Sequence, residues 1–253
     1  LNYFHFPRLG AVYLSIPKNA CSTIKRSALV YEGDLQSSDD PRGDVHDMAR
    51  KYHVTSEQAK LLWGDPLRIS TFTVLSSPLR RYISSYLDKF CLSFPKPEPY
   101  VASFPLGVDI SFLQFIQYIS EAQPVSLNEH WRHQSSFISS GIEIDHFFWL
   151  NDMLHTPSLL IGQSTLPIMN VDHHSTSRIE SSQDNIKLSI FSTAKEIHEN
   201  LRLTNKLPPK NLFSAQLSEH NYMLSPSIFT HLAFERECIE RSFHGAVSLK
   251  DSL

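Results

Sequence analysis

Between residues 16 and 25 the chain reads Ile-Pro-Lys-Asn-Ala-Cys-Ser-Thr-Ile-Lys. One cation, Lys18, is followed by small residues and then by two hydroxyls, Ser22 and Thr23. That order suits an anion. Small residues let backbone N–H groups approach it, a helix start adds the positive end of its dipole, and a lysine reaches oxygens as a point charge. The run lacks the glycines of the nucleoside triphosphate loop GxxxxGK[ST], which weighs against a kinase or NTPase. A second group follows Ser76-Ser77-Pro78: Arg80, Arg81, Ser84, Asp88 and Lys89. On a helix Arg81 and Ser84 stand one turn apart and can grip one phosphate. His130 and His133 have a metal-like spacing, but no further ligand cluster accompanies them in the sequence, so no metal is expected.

These residues must be positioned by elements that the pattern of apolar residues predicts. Ala11 to Ile16 reads as a short buried strand and Thr23 to Tyr31 as the helix after it, with Pro17 to Ser22 as the loop between. Ile69 to Leu75 is a second strand, dense in β-branched and aromatic residues, and Pro78 ends it. From Leu79 a helix places Leu79, Tyr82, Ile83, Tyr86, Leu87 and Phe90 on one face. Further helices are expected at Ser56 to Trp63, capped by Thr55 or Ser56, at Asp109 to Glu121, and at Ser227 to Phe243. Ile144 to Leu150 and Ser158 to Ile161 read as later strands, and Phe94 to Pro105 as a Pro-rich surface loop. Strands alternating with helices predict an α/β fold, three-layered, with a mostly parallel central sheet. The anion segments then belong at the carboxyl ends of two neighbouring strands, Ala11–Ile16 and Ile69–Leu75.

The 253 residues suffice for a single domain. A formal charge of −3 argues against a general nucleic-acid binder, and no apolar stretch reaches membrane-spanning length. Cys21, Cys91 and Cys238 are too few and too scattered for a disulfide framework or a zinc cluster.

Taken whole, Ile-Pro-Lys-x-Ala-Cys-Ser-Thr resembles the 5′-phosphosulfate loop of carbohydrate sulfotransferases. The later segment resembles their 3′-phosphate segment, of which this chain keeps Pro78, Arg81, Ser84, Tyr86, Asp88, Lys89 and Phe90. Asn128 to Gln134 resembles a His-Trp-Arg-Pro-Gln segment of the same proteins, with His133 in place of the proline. Weaker likenesses lie at Asn170 with His173-His174-Ser175, and at Phe234 to Phe243, with Glu237 in the acidic place.

The resemblance implies the P-loop-like sulfotransferase fold and a transfer from 3′-phosphoadenosine 5′-phosphosulfate (PAPS) to a carbohydrate hydroxyl. Adenosine 3′,5′-bisphosphate is then the product. It implies that Pro17, Lys18, Asn19, Ala20, Cys21, Ser22 and Thr23 hold the 5′ end, with Lys18 on the bridging oxygen. It implies as well that Ser76, Arg80, Arg81 and Ser84 face the 3′-phosphate, and that a base takes the proton of the acceptor hydroxyl: His46 first, between the two segments, with His130 and Glu57 as alternatives. One departure stands out: the family's arginine is Ser76 here. A charged hydrogen bond contributes about 1.5–3 kcal/mol, so its loss weakens binding by one to two orders of magnitude unless Arg80 takes over. That departure motivates a second reading, a non-catalytic nucleotide- or glycan-binding protein on the same fold. A bacterial source implies the cytoplasm; kinship with Golgi-lumen enzymes implies that lumen, with an anchor upstream of Leu1.

Overall fold

The computed structural model describes residues 2–37, 45–64, 69–123, 126–138, 142–153, 155–169, 188–219 and 226–250, with side chains as far as residue 240. The chain is α/β and divides into two compact units. One comprises Leu1–Ser76, His133–Val171 and Glu237–Leu253, the other Ser77–Arg132 and Asp172–Arg236.

The first unit is built on a five-stranded sheet. Its strands are β1 (Tyr3–Phe6), β2 (Ala11–Leu14), β3 (His53–Val54), β4 (Ser70–Leu75) and β5 (His146–Trp149), in the order β3-β1-β2-β4-β5. β2 and β4 are neighbours and parallel, Ala11 opposite Ser70 and Leu14 opposite Thr73, and β4 pairs parallel with β5. The sheet is nonetheless mixed, because β1 runs antiparallel to both β2 and β3. The expectation of a mostly parallel sheet is corrected here, and the reason is local. Residues 7–10 are all that joins β1 to β2, and so short a link allows only a hairpin; a parallel crossover needs a dozen residues or more. Between β2 and β4, by contrast, the chain has room for α1 (Cys21–Glu32), α2 (Val45–Ala49) and α3 (Ser56–Trp63). Thr55 caps α3 in a reciprocal box with Gln58.

Alternation along β2 buries both faces of this sheet. Ala11 and Tyr13 pack with Ile24, Ala28 and Leu29 of α1, while Val12 and Leu14 pack with Ala59 of α3 and with Ile239. That double burial explains why the strand reads as an uninterrupted apolar run. Ser158–Ile161 is a strand as expected (β6), but it pairs in a separate hairpin with β7 (Ser164–Pro167) rather than joining the sheet. Short helices α7 (Ser135–Ile138) and α8 (Leu150–Met153) complete the unit.

In the second unit α4 (Pro78–Tyr86) continues as a π-helical turn over Leu87–Leu92. Tyr82, Ile83, Tyr86, Leu87 and Phe90 all enter one aromatic-rich core, with Phe112, Phe115, Trp131 and Phe213. α6 (Phe112–Glu121) is capped by Ser111 with Gln114. The Pro-rich stretch is not wholly a surface loop: it holds α5 (Pro99–Ala102) and sends Val101 and Phe104 into the core. α9 (Ala194–Thr204) and α10 (Lys210–Glu219) follow, and α11 (Pro226–Lys250) ends the described chain. No described helix is long and apolar enough to cross a membrane.

Candidate functional site

β2 ends at Leu14, and the backbone turns through residues 15–20 before α1 begins. Lys18 and Ala20 both take left-handed conformations, at φ 68° and 57°. For residues with a Cβ this costs about 1–2 kcal/mol each, so surrounding contacts must hold the loop. Backbone that alternates in this way turns successive N–H groups toward one concavity, which favours an anion. α1 then opens at Ala20 with no side-chain cap and no acidic residue in its first turn. The positive end of its dipole is therefore not neutralised locally.

Asn19 is the contact that fixes this loop. Its side chain is fully buried, and Nδ2 donates to the Val74 carbonyl at 2.9 Å and to Gln134 Oε1 at 2.6 Å. Gln134 is itself clamped to the end of β4: Oε1 accepts from the Ser76 N–H at 3.0 Å and Nε2 donates to the Ser76 carbonyl at 2.9 Å. A backbone N–H can only donate and a backbone C=O can only accept, so the orientation of Gln134 is forced, and that of Asn19 with it. Asn19 Oδ1 and Ser76 Oγ, the latter on a residue 2% exposed, have no hydrogen-bond partner among the described residues. Buried polar atoms without partners are rare and mark places where a ligand or water supplies the missing bond.

Three residues on from Asn19, Ser22 Oγ lies 2.9 Å from Nε2 of His46, and Lys25 Nζ lies 3.1 Å from Nδ1 of the same ring. Lys25 is 6% exposed, with its ammonium 4.1 Å from the centre of the Phe4 ring. Within this unit the structure thus gathers Pro17 to Thr23, Ser76 and His46, all named from the sequence. It adds Lys25 and Gln134, to which the sequence reading gave no role. A signal for each was present: Lys25 lies on the same helix face as Ser22, and Gln134 closes the segment that begins at Asn128. Glu57 is exposed on α3, where hydrogen bonds from its own N–H and from Thr55 hold its carboxyl below the ordinary range, poor for a base.

In the second unit Ser77 caps α4 by accepting from the Arg80 N–H. Arg81 is fully buried; Nη1 donates to the Arg132 carbonyl at 2.6 Å and Nη2 to the Glu129 carbonyl at 2.8 Å. Ser85 donates to the carbonyl between them, that of His130, at 2.6 Å. Arg81, expected on a phosphate, here braces the turn that carries His130 and Trp131. Arg80 and Ser84 are half-buried on α4. Asn128 Oδ1 accepts from His130 Nδ1 at 2.7 Å, which fixes the Nδ1–H tautomer, and the ring stacks on Tyr100. On α11 the buried acid is Glu235, which accepts from the Tyr82 hydroxyl, whereas Glu237 is exposed. Asn170 and His173 to Ser175 lie outside the described residues.

Comparison with known proteins extends this picture. The profile of the sulfotransferase family matches residues 1–214. Carbohydrate sulfotransferase 14 of Homo sapiens is 29% identical over 140 residues, covering 49% of this chain and 36% of its own length. Carbohydrate sulfotransferase 12 of Mus musculus is 26% identical over 178 residues, covering 56% of this chain and 42% of its own length. Carbohydrate sulfotransferase 8 of Mus musculus is 25% identical over 206 residues, covering 69% and 47%. The chain therefore spans between 36% and 47% of the length of these relatives. No solved structure matches it. A match that runs from β1 through α9, and takes in the Lys18 loop, His46 and Gln134, makes this chain a member of the sulfotransferase family.

Proposed function

We propose that the chain is a PAPS-dependent sulfotransferase acting on a carbohydrate hydroxyl, and that its 253 residues work as one sulfotransferase domain. The observation that carries the reading is the β2–α1 loop: two left-handed residues, an uncapped twelve-residue helix and a hydroxyl at Ser22 around one backbone concavity. These residues fit a phosphosulfate, because donors outnumber acceptors at the helix start and Lys18 stands within the loop itself. In the transfer, the bond between sulfur and the bridging phosphate oxygen breaks while the acceptor oxygen bonds to sulfur. The acceptor proton passes to a base, and adenosine 3′,5′-bisphosphate leaves. Lys18 offsets charge on the bridging oxygen as that bond opens, and the N–H groups from Ala20 to Thr23 hold the 5′-phosphate, while the Asn19 N–H donates within the loop to the Ile16 carbonyl at 3.2 Å.

A second reading, a nucleotide- or glycan-binding protein without transfer activity, is favoured by Ser76, a neutral and buried residue where the family carries an arginine. Two measurements separate them: calorimetric titration with adenosine 3′,5′-bisphosphate, and transfer of labelled sulfate from PAPS to a panel of unsulfated glycans. Binding with transfer supports the enzyme, binding without transfer supports the second reading, and no nucleotide binding sinks the PAPS site.

A further inference from the structure

The hydrogen bonds around His46 define its tautomer and, through it, its task. Lys25 Nζ sits 3.1 Å from His46 Nδ1. An ammonium has no lone pair and can only donate, so Nδ1 is the accepting nitrogen. A neutral imidazole then carries its single hydrogen on Nε2, which lies 2.9 Å from Ser22 Oγ and donates to it. Ser22 is thereby held as an acceptor from His46, and its own hydrogen is left to be donated to something else. Ser22 is the second residue of α1, where the unshared N–H groups of the helix start also lie. Everything at that point donates, which selects a ligand with accepting oxygens and negative charge.

We propose that His46 is a positioning residue rather than a base: with Lys25 it aims the hydroxyl of Ser22 at an oxyanion bound at the start of α1. The identity of that oxyanion, the phosphosulfate of the nucleotide, rests on the reading proposed above; the arrangement of Lys25, His46 and Ser22 does not. A base for the acceptor needs an open lone pair. The lone pair of His46 is the one that accepts from Lys25, and its other nitrogen carries a hydrogen already committed to Ser22. Lys25 is suited to hold the ring because it is buried against Phe4 and so has little freedom to swing away.

Glutamine separates the two roles. Its amide can donate through Nε2 and accept through Oε1, reproducing both bonds, yet it takes up no proton near neutral pH. His46→Ala and Ser22→Ala should each weaken binding of adenosine 3′,5′-bisphosphate by on the order of tenfold. The double variant should be no worse than either single one, since each already loses the same aimed hydrogen bond from Ser22. His46→Gln should recover most of the binding and turnover that alanine loses. Intact nucleotide binding in His46→Ala with turnover abolished, and no recovery by glutamine, would show His46 to be the base and overturn the proposal. The ligand-free protein provides an independent check through its imidazole 15N spectrum: the hydrogen should be on Nε2, and Lys25→Met should release the other tautomer. A hydrogen on Nδ1 in the unsubstituted protein also overturns the arrangement. Failure of the unsubstituted protein to bind the nucleotide sinks the PAPS reading instead, while the 15N spectrum still decides the relay.

Discussion

Gln134 and Lys18 act in opposite ways at the level of single side chains. Gln134 is structural: it closes the Ser76 N–H and C=O and receives the Asn19 amide, all in a buried setting. Gln134→Leu keeps the bulk but orphans these groups, at about 1–3 kcal/mol for each one left without a partner. Thermal unfolding should show a clear loss of stability. Lys18 is half-buried in a strained loop and is proposed to act on charge that develops only as the bond to sulfur breaks. Lys18→Ala should therefore lower the transfer rate far more than it lowers affinity for adenosine 3′,5′-bisphosphate. Equal losses would assign it to ground-state binding. In the other unit, burial first and the Glu235 charge second push the Tyr82 hydroxyl well above its ordinary range, so it stays a neutral donor to that carboxylate. Tyr82→Phe should cost about 1–3 kcal/mol, because Glu235 loses that donor inside the fold.

Strand ends and turns are the scale at which backbone geometry decides outcomes. Gly162 sits between β6 and β7 at φ 58°, and a Cβ there would collide with Ser70 Oγ. Gly162→Ala meets both penalties, and its urea midpoint should fall by an amount worth about 1–3 kcal/mol. Ala20 presents the reverse case. It is an alanine doing what glycine does without strain, so Ala20→Gly should raise the melting temperature and Ala20→Val should lower it. Just past α1, Asp34 accepts from Lys51 at 2.6 Å and from Tyr52 at 2.5 Å, tying that segment to the helical turn Arg50–Tyr52. These bonds, Lys51 first, hold its carboxyl below the usual value. The contribution is full above the unfolded value of about 4 and disappears as the pH falls through the lower folded value. Asp34→Asn should remove that part of the acid dependence, a fraction of a kcal/mol because the pair is partly exposed, when urea midpoints at neutral and acid pH are compared.

For the molecule as a whole, a ligand that binds only the folded chain must stabilise it. At a hundred times its Kd, adenosine 3′,5′-bisphosphate should contribute about 2.7 kcal/mol and raise Tm by roughly 5–10 °C for a chain of this size. Adenosine, without phosphates, should not. A net charge of −3 makes that selectivity more telling, since the general field of the protein repels the bisphosphate and only local donors can attract it. Equal shifts for both ligands would place recognition in the base rather than in the phosphates.

The sequence alone determined what periodicity and local chemistry govern. β2, β4, α3 and α4 lie where their apolar patterns predict them, because a strand buried on two faces and a helix buried on one leave different imprints. The loop from Pro17 to Thr23 was legible for the same kind of reason: strand, small residues and helix start are consecutive. Tertiary structure decided the remainder. The antiparallel β1 was missed because its pairing is a relation between strands, set by a short hairpin link rather than by any single residue. The carbonyls that Arg81 meets belong to residues some fifty positions away, a contact that no local pattern encodes. Nor does the sequence show that Lys25 and Ser22 stand at the two nitrogens of His46. A histidine's role is set by which nitrogen keeps the hydrogen, and the partners that settle this are brought together only when the chain folds.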